Sequence, residues 1–170
     1  PIIVEKCVEY IEKLYPLAER GLQEEGIYRV SGSASRVKEL REAFDKDGAP
    51  DSLELSEKEW FDVHVVAGLL KLYLRELPEP LIPYDLYEEF IRAAKEQIED
   101  PDERLRALKE LLSSKLPRAH YNTLRYLLTH LNRVAEIYIE NSAVNKMNAR
   151  NLAIVFGPTL LRPPDKESND

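Results

Sequence analysis

The sequence predicts an all-α fold, built as a single-domain multi-helix bundle. Three observations lead there. Apolar residues recur at three- and four-residue spacing in seven separate segments. Prolines, glycines and capping residues stand mostly at the borders of those segments. No alternating strand pair joined by a hairpin turn occurs, and there is no internal repeat.

Taken in order, residues 2 to 14 read as the first helix, with Ile3, Cys7, Tyr10, Ile11 and Leu14 on one face. Pro16 ends or kinks it, and Gly21 marks the following turn. Ser33 or Ser35 caps a second helix running to about Asp45, with Val37, Leu40 and Phe44 inward. Residues 45 to 51 are a loop by composition. Residues 61 to 76 form a third helix with Val63, Val66, Leu70, Tyr73 and Leu77 as its apolar stripe. Pro78 and Pro80 stop it. Asp85 and Glu88 have capping-box spacing and open a helix to about Gln97. Asp100-Pro101-Asp102-Glu103 starts another, defined by Leu105, Leu108, Leu111 and Leu112. Pro117 starts the longest helix, which keeps its period to Glu140 and suits the centre of a bundle. Asn148 caps the last one, placing Asn151 in its first turn, and Gly157-Pro158 ends it. The division expected is one domain over residues 1–162 and a proline-rich, charged linker over 163–170.

A chain of 170 residues sits near the common domain size and can bury about 70% of its unfolded surface. Its 24 basic and 31 acidic residues give a formal charge of −7, which argues against a general nucleic-acid or anionic-membrane binder but leaves room for a local basic patch. Cys7 is the only cysteine, so no disulfide framework exists and a reducing compartment fits. The chain opens without an initiator methionine or a signal pattern. No apolar run approaches the ~20 residues of a membrane span. These features are expected of a domain from a longer, soluble, cytoplasmic protein.

Two segments carry polar groups beyond what a helical bundle needs. Gly26-Ile27-Tyr28-Arg29-Val30-Ser31-Gly32 is a glycine-bracketed loop between two charged helical segments. Its flanking apolar groups can root it in a core while Arg29 faces outward. The guanidinium's fixed fork of donors suits phosphate oxygens. The alternative is a structural arginine tied to Glu24 and Glu25. On the third helix, His64, Gly68, Lys71 and Arg75 form a second stripe, with Lys71 and Arg75 one turn apart. Like charges at that spacing repel by a few tenths of a kcal/mol, about 0.2–0.5. The pair therefore makes best sense facing an anion, although most such stripes are solvated faces. Gly68 would let another backbone approach. Asn151 is the fourth polar group, with an internal hydrogen bond as its plain alternative.

Self-contained chemistry is absent from the pattern. His64, His120 and His130 lie far apart and form no ligand set with Cys7 or the acids. No nucleophile arrangement and no phosphate-cradling glycine loop of the P-loop or dinucleotide type occurs.

Three blocks together, however, resemble the signature motifs of RhoGAP domains, the GTPase-activating modules for Rho-family small GTPases. They are residues Gly26 to Gly32, Leu70-Lys71-Leu72-Tyr73-Leu74-Arg75-Glu76-Leu77-Pro78-Glu79-Pro80, and Asn151-Leu152-Ala153-Ile154-Val155-Phe156-Gly157-Pro158. Their order and spacing match, and the resemblance covers nearly the whole chain. The stretches Tyr121 to His130 and Phe156 to Pro164 are similar to the chimaerin branch. One departure is a longer link, Lys13 to Arg20, between the first helix and the loop.

The resemblance implies an all-helical domain of the RhoGAP type with Arg29 as an arginine finger. Lys71 and Arg75 would hold the acidic switch surface of a GTPase, Arg75 would also brace the finger loop, and Asn151 would hydrogen-bond the partner. The partner implied is a Rho-family GTPase in its GTP-bound state, met by a monomer, with no nucleic acid and no direct membrane insertion. The domain would need no cofactor, since GTP and magnesium belong to the partner, and would not be an enzyme by itself. The alternative is a catalytically silent binding or scaffolding module with the same fold. The intact Arg29 argues against it.

Overall fold

The computed structural model describes residues 1–14, 21–46, 53–56, 58–94, 100–140 and 144–164. Among them lie seven α-helices and no strand: α1 Ile2–Lys13, α2 Ala34–Asp45, α3 Val63–Glu76, α4 Tyr87–Ala94, α5 Pro101–Ser114, α6 Arg118–Glu140 and α7 Ala149–Leu160. The all-α prediction therefore holds. Short 3₁₀ turns cover Gly21–Gln23 and Tyr84–Leu86.

The hub is α3 rather than the longest helix. It buries Val63, Val65, Val66, Ala67, Leu69, Leu70 and Leu74 and packs against α1, α2 and α7. Those residues wrap more than one face, as a helix surrounded on several sides requires. By contrast, α6 is a one-sided helix, with Leu124, Leu127, His130, Leu131, Val134 and Ile137 inward. Leu128, on the same helix, is 42% exposed. The start of α3 is set by Asp62, whose carboxylate accepts from His64 N at 2.9 Å. Gly68 receives a side chain, not a backbone: a Cβ there would stand 3.0 Å from Val37 Cγ2 of α2.

Caps explain most of the other boundaries. Asp100 accepts from Asp102 N at 2.9 Å, and Asn148 accepts from Asn151 N at 2.9 Å. Three expectations fail locally. Ser33 occupies the cap position of α2, but its hydroxyl meets Ser35 Oγ at 3.0 Å instead of a backbone N–H. The capping box at Asp85 does not form, because Pro83 precedes a 3₁₀ turn and Glu79 Oε1 takes Tyr84 N at 3.2 Å. Pro158 does not end α7, which continues to Leu160. Proline there forfeits one bond, to the carbonyl of Ile154, on an exposed side of the helix. The turn is rescued by Leu161 N to Gly157 O at 3.0 Å and by Ile82 N to Leu160 O at 3.1 Å. In α5, Leu105 is 50% exposed, while Leu108, Leu111 and Leu112 pack inward. The loop expected at 45–51 lies outside the described residues beyond 46, as do the long link from Lys13 to Arg20 beyond 14, the helix end at Gln97, and the linker of 163–170 beyond 164.

Two polar clusters tie distant segments together. Arg162 reaches back to the end of α3, donating to Arg75 O at 3.1 Å, Leu77 O at 2.6 Å and Tyr84 Oη at 3.0 Å. The first two are carbonyls of the kind a helix C-terminus leaves unpaired. Glu12 of α1 joins α6 through His130 Nδ1 at 2.8 Å and through Arg133. The His130 hydrogen bond, helped by Arg133, holds the Glu12 carboxyl below its ordinary value of 4.5 against the opposing effect of burial.

Arg162→Ala is expected to lower the unfolding free energy by about 1.5–3 kcal/mol, the scale of one hydrogen bond to a charged group. The measurement is a urea midpoint that falls at unchanged slope. Glu12 predicts an acid dependence. Its folded pKa lies below the unfolded one, so its contribution is complete above 4.5 and is lost as pH falls through the lower folded value. The urea midpoint of Glu12→Gln should therefore fall less steeply than wild type below pH 4.5.

Candidate functional site

The loop from Gly26 to Gly32 is a tight turn built on backbone bonds. Arg29 N and Val30 N both donate to Gly26 O at 2.8 Å, and Gly26 N donates to Asn145 O at 2.8 Å. Gly26 has φ +69°, and a Cβ there would strike Val30 Cγ2 at 2.7 Å. Gly32 closes the loop against the start of α3, where a Cβ would meet His64 C and Val65 N at 2.6 Å.

Tyr28 is the root. It is fully buried with φ +71°, a left-handed conformation costing a non-glycine residue about 1–3 kcal/mol. It is held at both ends. Its hydroxyl lies 2.5 Å from His130 Nε2, and its ring packs edge-on to Phe156 at 5.0 Å. Lys71 Nζ donates to its carbonyl at 2.5 Å. Burial raises the Tyr28 phenol well above its ordinary value, so it remains a donor. Glu12 can only accept, so in the neutral imidazole Nδ1 carries the proton and Nε2 accepts from Tyr28.

With Tyr28 anchored inward, Arg29 is exposed. Among the described residues it makes no ion pair, and both acids that could have tied it down are engaged elsewhere. Glu24 faces His64 Nε2 at 3.5 Å, and Glu25 accepts from Lys146 Nζ at 2.7 Å. The Lys146 hydrogen bond and charge hold the Glu25 carboxyl low, with Arg29 a minor contributor. The guanidinium lies over Gly26, whose missing Cβ would sit 3.4 Å from Nη2.

Arg29, Lys71 and Arg75 line one depression of about 500 Å³ between the loop, α2, α3 and α7. Lys38 and Arg41 line it too, and the sequence reading missed both. Their charges are largely offset: Lys38 faces Glu42 at 3.8 Å, and Arg41 meets Glu76 at 3.1 Å and Asp45 at 3.6 Å. No acid among the described residues pairs with Lys71 or Arg75. Burial, and then Arg75, lower the Lys71 pKa. The brace on the Gly26–Gly32 loop comes from Lys71, because its amine reaches the Tyr28 carbonyl; Arg75, one turn further along, is exposed and makes no such bond among the described residues.

Asn151 stands outside that depression. Its side-chain amide donates to Lys146 O at 2.9 Å, and Lys146 in turn holds Glu25, so it flanks the loop from the other side. Ile154, one turn on, is 66% exposed, and Val30 beside Arg29 is 43% exposed. Asn145 is fully buried and pins the segment before α7, donating to Leu22 O at 2.8 Å and Val134 O at 2.9 Å. Sequence reasoning missed Glu12, His130 and Asn145 as supports. Only Asn145 had a local signal, the turn-like run Asn145-Lys146-Met147-Asn148. Among the described residues no cluster of three His, Cys, Asp or Glu could hold a metal. No described helix is long and apolar enough to cross a membrane.

Comparison with known proteins places this geometry. Residues 1–165 match the family model described as RhoGAP domain. Beta-chimaerin of Rattus norvegicus is 47% identical over 97% of this chain, and Rho GTPase-activating protein 15 of Gallus gallus is 41% identical over 99%. The chain spans 51% of the first and 32% of the second, so it corresponds to about half of one relative and about a third of the other. Among solved structures, human Rho GTPase activating protein 15 superposes with a TM-score of 0.81 at 39% identity, covering 99% of this chain and 72% of that one. The BH domain from GRAF, the GTPase regulator associated with focal adhesion kinase, gives a TM-score of 0.80 at 34% identity, covering 95% of this chain and 79% of that one. With a match to the family over nearly its whole length, the chain belongs to the RhoGAP domain family.

Proposed function

We propose that this domain accelerates GTP hydrolysis by a Rho-family small GTPase, with Arg29 as an arginine finger supplied in trans. The observation that carries this reading is an exposed arginine, without an acid partner among the described residues, on a loop whose preceding residue is locked into the core. Negative charge grows on the transferring phosphoryl oxygens and on the leaving oxygen during hydrolysis. A guanidinium placed there stabilises the transition state more than the ground state. Its backbone position matters as much as its charge, since a pre-set loop loses little on docking.

In this reading Lys71 and Arg75 attract the acidic switch surface of the GTPase, and Lys71 also keeps the finger in register. Asn151 hydrogen-bonds the partner beside the loop, and Val30 and Ile154 give apolar contact. GTP and magnesium belong to the partner in its GTP-bound state. The domain supplies a catalytic group but no turnover of its own, acts as a monomer in the cytoplasm, and extends over residues 1–162 with a linker beyond.

Such an arginine contributes about 10³–10⁵ in rate to Ras-type GTPases, about 4–7 kcal/mol. Arg29→Ala is therefore expected to cut stimulated phosphate release on the order of 10³-fold while complex formation persists. Arg29→Lys should also be poor, because an ammonium cannot fork across two oxygens. Near-full stimulation by Arg29→Ala across a panel of Rho-family GTPases would end the finger assignment. Arg75→Ala should raise the half-saturating concentration about tenfold, about 1.4 kcal/mol, with maximal rate kept. Lys71→Ala should lower the maximal rate as well, since the Tyr28 carbonyl loses its brace. Binding without faster phosphate release from wild type would instead select a silent scaffold.

A further inference from the structure

On a different face from the finger, α4, α5, α6 and α7 leave an apolar groove of about 460 Å³, within the roughly 300–1,000 Å³ of small-ligand sites. Its floor includes Phe90, Leu108, Leu131, Leu152 and Phe156. A second depression of about 600 Å³ adjoins it, sharing Leu112, Leu124, Leu128 and Asn132 as a common wall. This outer part carries Lys109 and Arg125, both exposed and neither paired with an acid among the described residues. The polar group common to both parts, Asn132, is engaged by Glu136 at 2.7 Å.

An apolar trough that opens onto two unneutralised cations suits a molecule with a long hydrocarbon body and an anionic end. A second copy of this chain would need to place an acid over those cations and still fill a narrow trough. A flat membrane would meet the cations but leave the trough empty. We infer that the groove between α5, α6 and α7 binds the anion of a single long-chain fatty acid, its chain against Leu131 and Phe156 and its carboxylate between Lys109 and Arg125. Phe156 gives the site a route to the finger loop, because its ring lies 5.0 Å from Tyr28, the residue before Arg29.

The test is calorimetric titration of the domain with oleate below its micelle concentration, in parallel with methyl oleate. Saturable one-to-one binding of oleate is expected, at least tenfold weaker for the ester and for the double variant Lys109→Glu/Arg125→Glu. That variant should keep the wild-type melting temperature and the wild-type stimulation of a GTPase. Leu128→Gln, at a partly exposed position, should weaken oleate and ester alike. No saturable binding, or equal affinity for oleate, ester and double variant, overturns the site. Binding only to oleate-containing vesicles, or a dimer in sedimentation that oleate does not dissociate, overturns it too. Saturating oleate should lower stimulated phosphate release at least twofold in wild type but not in the double variant. That readout rests on the proposed GTPase activation, whereas the binding does not. Binding with unchanged release overturns the route through Phe156. Failure of the finger reading would show differently, as no stimulation with or without oleate.

Discussion

The threefold restraint on Tyr28 is the feature on which the site depends. A buried ring with a positive φ is an unfavourable arrangement left to itself. Here the phenol is held by His130, the carbonyl by Lys71 and the ring by Phe156. Each support comes from a different helix, so the loop's shape is a property of the whole bundle and not of seven residues. The consequence is directional: the residue after Tyr28 must leave the core, and that residue is Arg29.

The electrostatics follow the same logic. An acidic chain with a formal charge of −7 keeps three cations, without acid partners among the described residues, at one depression. The acids nearest the loop are not removed but diverted, Glu24 toward His64 and Glu25 onto Lys146. Lys38 and Arg41 illustrate the contrast, since each carries its own acid on or beside α2. Local neutralisation around an unneutralised centre concentrates positive field where an anionic partner would dock.

Much of this was legible in the sequence, for identifiable reasons. The periodicity of α6 and the caps at Asp100 and Asn148 are local, so they could be read without tertiary information. So could the rooted loop, from its glycines and apolar flanks. What escaped was long-range. Glu12 and His130 are 118 residues apart, and nothing near either announces the other. The helix through Pro158 escaped because its rescue lies in contacts with Ile82, far away in the chain. The role of Lys71 was half visible: its stripe was clear, but the Tyr28 carbonyl it reaches was not. The centrality of α3 was hidden for a similar reason, since length, not wrapping, is what a sequence displays most plainly.

The most direct test of a guanidinium acting on a partner's phosphoryl group is a transition-state analogue. The affinity of the domain for a GDP-loaded Rho-family GTPase would be measured with and without aluminium fluoride, a planar mimic of the transferring phosphoryl. The account predicts that fluoride tightens the wild-type complex by at least a hundredfold (about 2.7 kcal/mol) and leaves the Arg29→Ala complex nearly unchanged. Equal tightening of both complexes would contradict it.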